Sequence, residues 1–206
     1  MSQSTSKRRI SLPLVVAGGV SSLVLAMGMS PTFSAFTASI QNSTDTTASG
    51  TLVMQETSGG VTCKSTDGTN GLSGNAATCS TINKYGGTST LLTPGGAANV
   101  TTVTIANTGT VGASSFSLTP GTCTQSALAT LAGSDTDLCA KLHVKITTGS
   151  TTVYDGNAAA MTAQSLAPLG AGQSAAYTFA VSLDSSADNS YQGLQASQPL
   201  TWTFQV

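Results

Sequence analysis

The chain has 206 residues, with 7 Lys plus Arg, 8 Asp plus Glu and one His. The low and balanced charge argues against a nucleic-acid-binding protein, which needs clustered cations to neutralise phosphates. The single His excludes a His-rich metal site, while 22 Gly and many Ser and Thr favour strands and loops over helices.

The first segment, residues 1–34, has the pattern of a secretory signal peptide. Three cations at residues 7–9 precede a mostly apolar stretch at 10–29, and small residues follow. We predict an N-terminal signal helix that signal peptidase removes by cleaving between Ser34 and Ala35. A retained membrane anchor is the alternative, because the apolar stretch is close to the length that spans a bilayer.

Cleavage changes the charge of the chain. Removal of residues 1–34 leaves four Lys and eight acidic residues, a net charge of 4 − 8 = −4. Such a protein has no attraction to anionic membranes. We therefore expect a secreted protein, extracellular or on the cell surface, without membrane binding after processing.

Alternation of apolar and polar residues dominates the remainder of the chain. It predicts strands with one buried and one solvated face at residues 141–147, 177–184 and 200–206, and weaker strands near 51–57, 99–106 and 114–118. Turn signals such as Asp155 and Gly156 separate them, and one short helix is predicted at 126–131. No linker divides residues 49–206, so we predict one all-β domain, an antiparallel two-sheet sandwich of jelly-roll or immunoglobulin-like type.

The four cysteines are Cys63, Cys79, Cys123 and Cys139. An even number in an exported chain indicates disulfides. Both sequential pairs are 16 residues apart, and we predict Cys63–Cys79 and Cys123–Cys139, with the two other connectivities left open. A four-thiolate zinc site needs cysteine pairs two to four residues apart, and the sequence has none.

Residues that could carry chemistry are few. His143 lies between two lysines on the polar face of its strand, which indicates a solvated surface residue. Asp184, Asp188 and Asn189 offer oxygen ligands for calcium, but their spacing does not match an EF-hand loop and is typical of a polar turn. We predict no catalytic residue, no metal site and no cofactor, and hence that the protein is not an enzyme.

Six short segments follow one another along the chain: TFSAFTASI at residues 32–40, ASGTL at 48–52, LTPGG at 92–96, NTGT at 107–110, ADNSYQG at 187–193 and WTFQ at 202–205. In this order they resemble the TasA/camelysin family of exported Gram-positive surface and matrix fibre proteins. The two cysteine pairs depart from the family's best-known matrix members. The resemblance implies a jelly-roll domain.

The resemblance also implies assembly into a homo-polymer by donor-strand exchange, in which the N-terminus of one subunit completes a sheet of the next. Phe36, Ala38 and Ile40 alternate with polar residues, as a donated strand requires, and residues 41–48 suit a polar tether. The alternative is that residues 35–41 form an edge strand of their own domain.

Two further functions stay open at this stage. A monomeric secreted binding or adhesion domain would use the loops that the disulfides close, because loops on rigid scaffolds often carry recognition. Some camelysin-like relatives carry a metalloprotease label, but the ligands for such a site are missing from this sequence.

Overall fold

The computed structural model describes Ile40, residues 44–128 and residues 130–206. In these residues the chain is mostly β, with antiparallel sheets and a few short helices. Ala48–Val206 forms one compact unit that contains every described strand. Among the described helices, none has the length and apolar character needed to cross a membrane.

The strands and helices are short. The strands are β1 Met54–Ser58, β2 Val61–Lys64, β3 Asn99–Asn107, β4 Ser115–Pro120, β5 Thr124–Ala127, β6 Leu142–Thr148, β7 Thr151–Asn157, β8 Gln164–Leu166, β9 Ser174–Leu183, β10 Leu194–Ser197 and β11 Leu200–Gln205. The α-helices are α1 Gly71–Gly74 and α2 Leu138–Lys141, and 3₁₀ turns lie at Ser65–Asp67, Ala158–Ala160 and Asn189–Tyr191.

Six strands form one antiparallel sheet in the order β2-β1-β3-β9-β6-β7. Its central strands present an apolar face, since alternate residues of a strand point to the same side. Val103 of β3 lies opposite Tyr177 of β9, and Phe179 of β9 lies opposite Ile146 of β6. All four side chains are buried, so this face forms one half of the core.

The second group of strands forms a bent antiparallel ribbon. β4 pairs with β11 and also with β8, while β5 pairs with β10. Three residues separate β4 from β5, but only two separate β10 from β11. The extra residue shifts the register, as in a β-bulge, and the N–H of Gly121 donates to the carbonyl of Pro199 at the bend.

Aromatic side chains fill the core between the three-stranded sheet β11-β4-β8 and the six-stranded sheet. The ring of Phe116 on β4 lies 5.9 Å from that of Tyr177 on β9, and Trp202 on β11 lies 5.1 Å from Tyr177. Phe204 lies 4.7 Å from Phe116. These contacts join the two sheets through side chains from strands that are distant in the sequence.

The strongest alternating segments correspond to β6, β9 and β11, and the weaker ones overlap with β1, β3 and β4, each of which extends past the predicted end. The predicted helix at residues 126–131 is wrong for Ser126 and Ala127, which belong to β5 because they pair with β10. The predicted turn at Asp155 and Gly156 is also wrong, since both lie inside β7. Pairing with β6 overrides their turn preference there.

Candidate functional site

Both predicted disulfides are present. Cys63 on β2 is bonded to Cys79, and Cys123, directly before β5, is bonded to Cys139 on α2. In each bridge the Cα atoms are 6.0 Å apart. The predicted pairing is therefore confirmed. Two disulfides indicate an oxidising, extracellular environment for this chain.

The described residues form a mostly apolar groove of about 600 Å³. One wall is the strand β10 with the residues that flank it, and the opposite wall is the irregular segment at residues 80–94. Its floor includes Leu142, Val181 and Leu183 from β6 and β9. The groove therefore lies between the end of the six-stranded sheet and the β5–β10 part of the ribbon.

The wall made by β10 presents the edge of a strand. Among the described strands β10 pairs only with β5, and all four of its residues line the groove. The N–H of Leu128 on the β5 side donates to Gly193 O at 2.7 Å. Because the peptide is trans, the N–H of Leu194 points away from β5, and in an extended strand the main chain of Ala196 does the same. An extended segment in the groove could pair with these groups.

The opposite wall is held in place by three side chains. Ile82 is buried in the core. The ammonium of Lys84 lies 2.8 Å from Glu56 Oε1 on β1, and the hydroxyl of Tyr85 donates to Gln198 Oε1 at 2.6 Å. Burial raises the pKa of the Tyr85 phenol far above its ordinary value, so this hydrogen-bond donor stays protonated at neutral pH. Tyr85 thus joins the two walls across the groove.

The chemistry of the groove favours an uncharged, apolar occupant. Leu91 lines it with 71% of its surface exposed, and the exposed Leu128 lines the other side. The charged residues in its lining are Lys84 and Asp188. Lys84 is already paired with Glu56, so its charge is not available to bind an anion.

Gly193 fixes how the chain enters β10. Its φ is +65°, and a Cβ added there would lie 2.4 Å from the carbonyl oxygen of Leu131. Any other residue would therefore displace the chain at the start of the groove wall.

The turns that precede β10 are tied together by acidic side chains. The hydroxyl of Tyr191 donates to Asp137 Oδ1 at 2.5 Å, which raises the pKa of Tyr191. Hydrogen bonds from Ser190 lower the pKa of Asp188. Ser186 N–H donates to Asp184 in the same way, so Asp184 and Asp188 organise polar turns. Within the described residues, no group of three or more metal-ligating side chains is placed to hold a metal ion.

His143 lies on the exposed face of β6, as its alternation predicted. Its Nε2 lies 2.8 Å from Asp155 Oδ1 on β7, and Lys145 lies 3.0 Å from Asp155 Oδ2. The hydrogen bond from Lys145 is the main reason that the pKa of Asp155 is lowered. These three residues form a surface ion-pair cluster, and the expectation that the chain is not an enzyme stays a prediction.

The residues predicted for processing and strand donation lie mostly outside the described part of the chain. Ser34, Ala35, Phe36 and Ala38 are among them. Ile40 is described. It belongs to no strand, and its relative solvent exposure is 99%.

No known family model matches this chain, and no curated protein matches it either. The resemblance to the TasA/camelysin family therefore stays a prediction.

The groove is the feature that sequence reasoning missed. Residues 80–94 have no alternating pattern, so the sequence predicts no strand or helix there. The adjacent Leu91 and Leu92 were a usable signal, because two leucines in an otherwise polar loop indicate contact with an apolar surface. The edge of β10 gave no local signal, because it depends on which strands pair.

Proposed function

We propose that this chain is a secreted structural subunit that assembles into extracellular fibres or surface matrix by donor-strand exchange. Residues 35–41 of one copy lie in the apolar groove of the next copy, along the edge of β10. The observation that carries this proposal is the combination of an apolar groove with a strand edge that is unpaired among the described strands.

The groove and the donor segment have matching chemistry. Phe36, Ala38 and Ile40 alternate with Thr37 and Ser39, so an extended strand places the apolar side chains on one face. The edge of β10 provides main-chain hydrogen bonds, and the leucines of the groove provide apolar contacts for alternate side chains. The nearly complete exposure of Ile40 also supports a partner outside the described contacts of its own chain.

The segment between the donor strand and the domain can reach a neighbouring copy. Residues 41–48 are eight residues, which span at most about 28 Å when fully extended. Each copy then donates at one place and accepts at another. A head-to-tail contact of this kind does not close on itself unless the geometry forms a ring, so it generates filaments. It also covers a strand edge that would otherwise invite random pairing.

The finer description of the fold belongs to the same proposal. The aromatic contacts between the two sheets support a two-sheet sandwich over residues 49–206, which we assign to the jelly-roll type. Residues 35–48 are assigned as donor strand and tether on their alternating and polar sequence.

Electron microscopy of two purified forms tests the proposal. The processed protein starting at Ala35 is expected to form filaments, while a form starting at Ala48 stays monomeric. Ile40→Asp in the longer form is expected to abolish filaments, because a carboxylate cannot enter the apolar groove without a large desolvation cost. Ile40→Val is the control and is expected to assemble. Filaments of ordinary length from Ile40→Asp would refute strand donation.

A second pair of variants tests the groove. Leu91 and Val100 are both exposed aliphatic residues, at 71% and 65%, but Leu91 lines the groove and Val100 does not. Leu91→Asp is expected to lose assembly while the domain stays folded, and Val100→Asp is expected to assemble. Equal assembly of the two variants would place the acceptor site elsewhere.

The second candidate function is a monomeric binding or adhesion domain. The loop between Cys63 and Cys79 presents Leu72 on α1, with 51% of its surface exposed. If the protein is a binding domain, both purified forms are expected to be monomers, and Leu72→Ser is expected to lose cell-surface adhesion. Unchanged adhesion in Leu72→Ser would remove this candidate.

A further inference from the structure

We propose that the two disulfides hold the walls of the groove in place, so that strand capture, and assembly with it, requires oxidised cysteines. The inference rests on the proposed function and adds a regulation to the same site.

The first wall depends on Cys123–Cys139. β5 and β10 have four residues each and, among the described strands, pair only with each other. An isolated two-stranded ribbon is marginally stable in water. Cys123 directly precedes β5, and Cys139 belongs to α2, which leads without a break into β6 of the six-stranded sheet. The bridge therefore fastens the β5–β10 ribbon to the sheet that forms the groove floor.

The side chain of Gln125 also connects β5 to the chain before β6. Its Nε2 donates to Asp135 O at 2.6 Å, and its Oε1 accepts from the N–H of Leu138 at 2.6 Å. Leu138 is buried, lines the groove and is the neighbour of Cys139. On the β10 side, the Tyr191 hydroxyl donates to Asp137, and the N–H groups of Gly133 and Asp135 donate to the carbonyls of Gln192 and Ser190. All of these ties are noncovalent, so the disulfide is the one covalent link among the described contacts between the ribbon and the chain before β6.

The second wall depends on Cys63–Cys79. Cys79 itself lines the groove, and the chain from residue 80 to residue 98 contains no helix or strand beyond a single bridge between Pro94 and Leu183. Cys63 lies on β2, so the bridge fixes the beginning of this irregular wall to the six-stranded sheet. Without it the first fixed point of the wall is the buried Ile82.

The chemistry of the switch is a thiol–disulfide exchange. A dithiol reductant delivers two electrons and two protons to each bridge, giving two cysteine thiols, while the dithiol closes to a cyclic disulfide. The core aromatic residues lie on β4, β9 and β11, outside both cross-linked loops. Reduction is therefore expected to release the groove walls while the core stays folded.

The test is binding of a fluorescent peptide with the sequence of residues 35–41, AFTASIQ. The protein is Ala48–Val206, which contains every described strand and both bridges. Fluorescence anisotropy is measured for the oxidised protein, the dithiothreitol-reduced protein, and the variants Cys123→Ser/Cys139→Ser and Cys63→Ser/Cys79→Ser. Binding is expected to weaken at least about tenfold in all three altered forms, because preorganisation is lost.

A chemical control separates the cross-link from the sulfur chemistry. Diiodomethane joins the two reduced thiols of each pair through a methylene group, with loss of two iodide ions and two protons. The bridged protein is expected to recover binding and to keep it in dithiothreitol. The near-UV circular dichroism of Trp202 reports on the core in every sample.

Three results would overturn this inference: equal binding by oxidised and reduced protein, no recovery after methylene bridging, or loss of the Trp202 signal on reduction. The last shows that the bridges stabilise the whole fold and not the groove alone. Absence of peptide binding to the oxidised wild-type protein is a different outcome, because it contradicts the proposed function itself.

Discussion

The indole N–H of Trp202 donates a hydrogen bond to Glu56 Oε1 at 3.0 Å. The bond joins β11 in the three-stranded sheet to β1 in the six-stranded sheet, across 146 residues of sequence. The same oxygen lies 2.8 Å from the ammonium of Lys84, which belongs to a wall of the groove. One buried carboxylate thus connects both sheets to the groove wall.

The charge of Glu56 is expected to matter more than its shape. Glu56→Gln keeps an oxygen for Trp202 but leaves the nearly buried Lys84 ammonium without a counter-charge. Removal of one partner from a buried pair costs about 3 kcal/mol or more of unfolding free energy. Urea denaturation measures this loss. Lys145→Met, in an exposed pair, is the control and is expected to cost less than about 1 kcal/mol; equal losses in the two variants would contradict the prediction.

The aromatic core is expected to be sensitive at Phe116. Its ring contacts those of Tyr177, Trp202 and Phe204, and its side chain is buried. Phe116→Ala creates a cavity between the sheets and is expected to cost about 3–5 kcal/mol of unfolding free energy. Val100→Ala, on an exposed position, is expected to change it by less than about 0.5 kcal/mol. A loss below about 1 kcal/mol for Phe116→Ala, measured by thermal or urea unfolding, would show that the sheets are not packed through this ring.

The fully buried Asn107 is expected to tolerate no acidic replacement. Its Nδ2 donates to the carbonyls of Val111 and Leu169, and its Oδ1 accepts from the N–H of Gly109. Asn107→Asp places a carboxylate oxygen against two carbonyl oxygens in a buried site, at a cost of at least about 2 kcal/mol. Denaturant unfolding at neutral pH measures it. The exposed Asn189→Asp is the matched change and is expected to be nearly neutral, so similar effects would argue against this network.

The surface cluster on β6 and β7 predicts a dependence on acidic pH. The hydrogen bond from Lys145, followed by the charges of Lys145 and His143, lowers the pKa of Asp155 in the folded protein. A lowered folded pKa contributes stability above the unfolded pKa of about 3.9, and this contribution disappears as the pH falls through the folded value.

Comparison of wild type with Asp155→Asn measures that contribution. The difference in unfolding free energy is expected to be largest above about pH 5, to shrink as the pH falls below the unfolded pKa of about 3.9, and to vanish once the pH is below the lowered folded pKa. High salt is expected to reduce it, because the pairs are exposed. A difference that grows as the pH falls would have the wrong sign for this mechanism.

Local sequence patterns were sufficient to predict the strands that have a regular apolar face. Leu142, Val144 and Ile146 alternate with polar residues, and one face of β6 is buried while the other is solvated. The cysteine pairing could also be predicted from the sequence, because the equal spacing of the two pairs favoured two local loops. These features depend on neighbours along the chain, which the sequence displays directly.

The short strands and the groove could not be predicted from local sequence patterns. Ser126 and Ala127 have no preference for strand conformation by themselves. They form part of β5 because they pair with β10. Glu56 gives no sign in the sequence that it is buried, because its partners Lys84 and Trp202 are 28 and 146 residues away.

The sequence by itself determined the β class of the described chain, its strongest strands and its two disulfides, because alternation and cysteine spacing are local properties. The tertiary structure decided which strand edge stays open and which apolar residues line the groove. Both depend on long-range pairing, and the free energy of each contact is known only when its distant partner is in place.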